Sequence, residues 1–174
     1  ELMAIGNWAV AHDVLILADD IYGRLVYNGN EFVPISSLSE AIRKQTILIN
    51  GVSKAYAMTG WRVGYAVGNP AIIAAMSKLT GQTTSNLTAV SQYATIEALT
   101  GPQDSVETMR QAFEERLNTI YPLLCQVPGF EVVKPQGAFY LFPNVKKAME
   151  MKGYTDVTEF TTAILEEVGL ALIT

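Results

Sequence analysis

The sequence predicts an α/β fold, and three observations carry that prediction. Two apolar runs of strand length, at 14–18 and 46–49, lack the alternation of a half-wet strand and read as buried parallel strands. Segments with helical spacing alternate with such runs along the chain. Polar residues follow each run, Asp19 after the first and Lys54 shortly after the second. Open α/β sheets bind ligands just outside the carboxyl ends of their strands.

The elements follow in order. Leu2, Ile5, Trp8 and Ala9 have helical spacing over 1–11. The run at 14–18 reads as a strand covered on both faces. Leu25, Val26 and Tyr27 form a short apolar run closed by the turn pair Asn28-Gly29. A strand over 46–49 leads into the lysine segment, and 61–67 alternates loosely as a further strand. Asn69-Pro70 supplies an N-cap and a first-turn proline for a helix to about Leu79. A polar loop over 81–86 precedes a helix over 88–99, closed by Gly101-Pro102. A long helix is predicted over 104–124, with Pro122 kinking or ending it. Short strands at 130–133 and 138–142, a helix over 158–168 and a terminal apolar run complete the reading.

The expected organisation is a first portion at 1–103, a linking long helix at 104–127 and an incomplete second domain at 128–174. The chain starts at Glu1 inside a helical pattern and ends in an apolar run, so a C-terminal fragment of a longer protein is expected.

Composition narrows the function classes. Hydrophobic residues make up 49% of 174 residues, enough to bury a core. A net charge of −5 argues against nucleic-acid or anionic-membrane partners. No apolar run is long enough to span a bilayer, and no signal-peptide pattern opens the chain. The single cysteine, Cys125, excludes an internal disulfide and fits a reducing cytoplasmic setting. No spaced His/Cys set points to a metal. The single histidine, His12, ends the first helix, where a cation suits the dipole.

The stretch from Asn50 to Tyr65, NGVSKAYAMTGWRVGY, is the chemical focus. A lysine amine condenses with an aldehyde cofactor such as pyridoxal phosphate and later serves as a local base. That cofactor needs a carboxylate beside its ring nitrogen, and Asp19 is the candidate. The phenol of Tyr22 suits the ring hydroxyl, and the fork of Arg62 suits the phosphate. Taken singly, Lys54 reads as a solvated lysine, Asp19 as a turn residue, Tyr22 as packing and Arg62 as a partner of Trp61. Their joint spacing favours the site.

Asp19-Asp20-Ile21-Tyr22, together with the run from Ser53 to Gly64, resembles the fold type I, class I pyridoxal-phosphate aminotransferases. The likeness is greatest to aspartate aminotransferases of the bacterial type. It implies Lys54 as the catalytic Schiff-base lysine, with Asp19, Tyr22 and Arg62 binding the cofactor. Ser85-Asn86-Leu87-Thr88 resembles a family loop that reaches the phosphate of the neighbouring subunit, which implies Ser85, Asn86 and a homodimer. Pro135 to Tyr140 resembles the stretch that begins the small domain. Two departures stand out: Gly51 occupies a position where many members carry a phosphate-binding serine, and Leu87 replaces a proline.

The implied fold is part of the mainly parallel-sheet large domain plus the start of an α+β small domain. The implied reaction moves an amino group from an L-amino acid to a 2-oxo acid, with aspartate the first candidate donor and aromatic amino acids or alanine as rivals. A carbon–sulfur lyase and a pyridoxal-phosphate-sensing regulator remain alternatives. By itself the chain is expected to lack transaminase activity, because other parts of the family's cofactor pocket and its substrate-carboxylate clamp lie outside it.

Overall fold

Helix α1, Leu2–Ala11, opens the chain, and Gly6 explains how it packs. A Cβ at Gly6 would lie 2.5 Å from Cδ1 of Ile42, so any larger residue would force the Ile42 side chain to shift. Ile42 is fully buried on α2, Glu40–Gln45, a short helix outside the sequence expectation. Ser39 caps α2 by accepting the Ile42 N–H at 3.2 Å. The computed structural model describes residues 1–173. It divides them into two compact units at 1–112 and from 113 onward.

The first unit is built on a three-stranded sheet in the order β1-β2-β3. Strands β1, Ile16–Asp19, and β2, Thr46–Gly51, run parallel, with Ile16 opposite Thr46 and Asp19 opposite Ile49. Strand β3, Gly64–Val67, returns antiparallel to β2, pairing Gly51 with Gly64. The α/β class is therefore observed, with one parallel and one antiparallel ladder among the described strands.

The lack of alternation at 14–18 predicts cover on both faces; within this chain Leu15 and Leu17 are 54% and 67% exposed. Period-two alternation leaves Ile16 and Ala18 half-buried and puts Leu17 and Asp19 on the open face. The strand expected over 61–67 starts only at Gly64. Trp61 closes a 3-10 turn, Thr59–Trp61, and Arg62 then adopts left-handed backbone with φ 54° and ψ 49°, which breaks extended pairing.

Leu25, Tyr27, Ile42 and Val52 are the largest fully buried side chains. Helix α3, Pro70–Thr83, starts as predicted, with Asn69 Oδ1 accepting the Ala71 N–H at 2.9 Å. It runs through Gly81, so the loop expected from 81 begins only after Thr83. Helix α4, Ala89–Thr100, is capped by Thr88 and stops at Gly101. Helix α5, Asp104–Leu124, is continuous and passes two residues beyond Pro122.

In the second unit, Leu117, Ala148 and Phe160 are buried. The strands expected at 130–133 and 138–142 are absent as strands among the described residues. A single antiparallel bridge, Glu131 to Asn144, stands in their place. Val133 and Phe142 are 87% and 94% exposed within this chain. Helices α6, Lys146–Lys152, and α7, Val157–Val168, follow. The first lies outside the sequence expectation, and the second matches its prediction to within one residue. Each is followed by a left-handed glycine, Gly153 and Gly169.

Candidate active site

The parallel register sets the carboxyl ends of β1 and β2 side by side. Asp19 ends β1 opposite Ile49, and the Asp20 N–H donates to the Ile49 carbonyl at 2.9 Å. The chain then turns, with Asp19 Oδ1 accepting the Ile21 N–H at 3.2 Å and the Gly23 N–H donating to the Asp20 carbonyl at 2.9 Å. This turn carries Tyr22. A carboxylate suits its start because the side chain satisfies a backbone donor two residues on.

Lys54 and Arg62 leave a single loop. The Gly51–Gly64 pair closes that loop at its base, where the Val52 N–H donates to the Val63 carbonyl at 3.4 Å. Lys54 lies three residues past Gly51, and Arg62 lies two residues before Gly64. A Cβ at Gly51 would meet the Val63 carbonyl oxygen at 2.7 Å and Gly64 Cα at 3.2 Å. The close β2–β3 approach thus accounts for glycine rather than serine at this position.

The structure brings Lys54 and Tyr22 together, with Lys54 Nζ 5.8 Å from the centre of the Tyr22 ring. Lys54 and Tyr22 are half-buried, whereas Asp19 and Arg62 are exposed. Arg62 Nη1 donates to the Thr59 carbonyl at 2.8 Å, which fixes the guanidinium back over its own turn. Ser91 Oγ on α4 donates to the Trp61 carbonyl at 3.2 Å and so braces the residue before Arg62.

Ser85 and Asn86 lie elsewhere, on the exposed connection between α3 and α4. Ser85 has φ 62°, and its N–H donates to the Thr80 carbonyl at 2.9 Å. No side-chain hydrogen bond or ion pair among the described residues joins either one to the lysine loop.

Two residues outside the sequence expectation belong to this region. Asp20 is buried, and burial, aided by the neighbouring charge of Asp19, raises its carboxyl above the usual aspartate range. It lines a cavity of 260 Å³ with Arg24, Asn50, Gly51, Tyr56 and Tyr65. Gln103 lies at the junction of α4 and α5 and hydrogen-bonds Tyr56 Oη and Arg24 Nη1, each at 3.2 Å. The pair Pro102-Gln103 before a helix signals only a helix start, and no motif marks the glutamine. Among the described residues no cluster of His, Cys, Asp or Glu could hold a metal ion.

Comparisons with known proteins bear on this geometry. A family model described as aminotransferase class I and II matches residues 1–174. An asparagine–oxo-acid transaminase of Streptococcus mutans is 78% identical over the whole chain, which spans 44% of that protein. An aspartate aminotransferase of Bacillus subtilis is 51% identical over 99% of the chain, again 44% of the relative. Among solved structures, an aromatic aminotransferase from Pyrococcus horikoshii superposes with a TM-score of 0.89 at 32% identity, over 99% of this chain and 45% of that one. The aspartate aminotransferase of Rhizobium meliloti gives 0.87 at 35% identity, over 96% and 43% respectively. The chain therefore spans less than half the length of these proteins.

Proposed function

The chain belongs to the aminotransferase class I and II family, and we propose that it carries the cofactor lysine of a pyridoxal-phosphate-dependent transaminase. The observation that supports this most is the approach of Lys54 Nζ to the Tyr22 ring, with Asp19 on the adjoining strand end. The donor set fits the group. Asp19 is an exposed carboxylate at a strand end, suited to a protonated ring nitrogen. Tyr22 offers a phenol to the ring hydroxyl, and Arg62 offers a planar fork to a phosphate.

When bound, pyridoxal phosphate supplies the electron sink that makes the α-carbon proton of an amino acid removable. In this reading Lys54 would hold the cofactor, and its amine, once free, would accept the proton released at the substrate α-carbon. Asp19 would keep the ring nitrogen protonated, Tyr22 would hydrogen-bond the ring hydroxyl, and Arg62 would balance the phosphate charge. Ser85 and Asn86 would act on a neighbouring subunit's phosphate, which belongs with a homodimer.

The substrates in this reading are an L-amino acid and a 2-oxo acid. Aspartate is the first donor to test, and the 78% identity to an asparagine–oxo-acid transaminase adds asparagine beside it. The test is a coupled assay of the protein from its complete reading frame. It pairs 2-oxoglutarate with aspartate, asparagine, alanine, phenylalanine or cystathionine and follows glutamate, pyruvate and ammonia. Glutamate formed with aspartate or asparagine supports the reading. Pyruvate and ammonia released from a sulfur amino acid, without glutamate, would replace it with a lyase.

A further inference from the structure

We propose that Gln103 is a positioning residue that ties the Tyr22 turn to the Lys54 loop and so sets how the lysine meets the tyrosine. The inference rests on the reading of Lys54 as the cofactor lysine. Its basis is one side-chain amide with every hydrogen-bonding position in use.

Gln103 Oε1 accepts from Tyr56 Oη at 3.2 Å and from Arg24 Nη1 at 3.2 Å. Its Nε2 donates to the Ala98 carbonyl at 3.0 Å and to the Gly101 carbonyl at 2.8 Å. Two lone pairs and two N–H groups are the full capacity of an amide. Chemistry also fixes its orientation. With oxygen and nitrogen exchanged, the NH₂ would face the Arg24 guanidinium, which only donates, and the oxygen would face two carbonyls.

The partners make the tie more than a local cap. Tyr56 lies two residues past Lys54, and Arg24 lies two residues past Tyr22. The two loops that hold the candidate site therefore meet on one oxygen. The nitrogen anchors that oxygen to the C-terminal turn of α4. The Gln103 backbone is held as well, since its carbonyl accepts the Val106 and Glu107 N–H groups at 3.0 and 3.2 Å as α5 begins. Gln103 is half-buried, and its amide is used up by Tyr56, Arg24, Ala98 and Gly101. Its effect on Lys54 and Tyr22 therefore passes through Tyr56 and Arg24.

The experiment uses the cofactor-loaded protein from its complete reading frame, as wild type and as the Gln103→Leu, Tyr56→Phe and double variants. The readout is the pH midpoint of the cofactor's visible band, with thermal melting followed alongside. Loosening the lysine from the tyrosine removes the phenol's help to the ring hydroxyl, so the midpoint should rise in Gln103→Leu by about half a unit. Tyr56→Phe should move it the same way, and the double variant should add little, as expected of groups in one network. An unchanged midpoint in Tyr56→Phe, a variant that removes a single hydroxyl, overturns the proposal. So does a lower melting temperature in Gln103→Leu with the wild-type midpoint, which marks a purely structural role. Should Gln103→Leu fail to fold, Tyr56→Phe decides alone. A wild-type protein with no visible band and no borohydride-fixed cofactor on Lys54 overturns the reading of the site, and this inference with it.

Discussion

Lys54 Nζ stands 5.8 Å from the centre of the Tyr22 ring, although 32 positions separate the two residues in the chain. The parallel β1–β2 ladder makes the meeting, because it sets Asp19 opposite Ile49 and lets the next turn of each strand end face the other. A change in that register would move Lys54 away from Tyr22 by a residue spacing.

Replacing Arg62 by lysine should weaken cofactor retention. A lysine keeps the charge and loses the fork, and a hydrogen bond to a charged group contributes about 1.5–3 kcal/mol. The expected loss in affinity for pyridoxal phosphate is about ten- to a hundredfold, read by fluorescence titration of the apo protein.

Serine at Gly51 should destabilise the fold. Its Cβ would lie 2.7 Å from the Val63 carbonyl oxygen, and the atoms in the way are backbone, which cannot swing aside. Overpacking of this kind costs about 1–3 kcal/mol. Urea unfolding of Gly51→Ser should show an earlier midpoint with an unchanged slope.

Ser91→Ala should also reduce stability, by about 1 kcal/mol, since it removes a buried hydroxyl that donates to the Trp61 carbonyl. The substitution leaves the N-cap of α4 in place, because Thr88 Oγ1 accepts the Ser91 backbone N–H. A urea titration of wild type and variant measures the difference.

Asp20 gives a pH prediction whose sign is fixed by its cause. Burial and the Asp19 charge raise its carboxyl in the folded state above 3.8, the ordinary value. The folded protein then holds this proton more tightly than the unfolded chain. Stability from this group is full below the ordinary value and is lost as pH rises through the folded value. Asp20→Asn should therefore melt higher than wild type near pH 7, and the gap should close as the pH falls toward 4. Paired thermal melts across that range read it directly.

Much of the candidate site's arrangement is legible in the sequence because strand ends and motif spacing are local signals. The apolar run at 46–49 ends where Lys54 follows, and Asp19 closes a run of its own. What escapes is held by tertiary contacts. Helix α2 has six residues with one buried side chain, Ile42, too short for periodicity to mark it. Its capping serine, Ser39, and the first-turn Glu40 are local signals of its start. Helix α6 buries only Ala148 and has just seven residues. The segments at 130–133 and 138–142 have strand composition, but a strand exists only with a partner, and a single bridge forms. Gln103 is invisible to any motif because its partners are 47 and 79 positions away.

The most direct test of the central claim is to load the protein from its complete reading frame with pyridoxal phosphate, reduce it with borohydride and map the modified peptide by mass. The account predicts one pyridoxyl group on Lys54, absent from a Lys54→Ala variant. Modification spread over Lys44, Lys78 and other exposed lysines, or unchanged in Lys54→Ala, would contradict it.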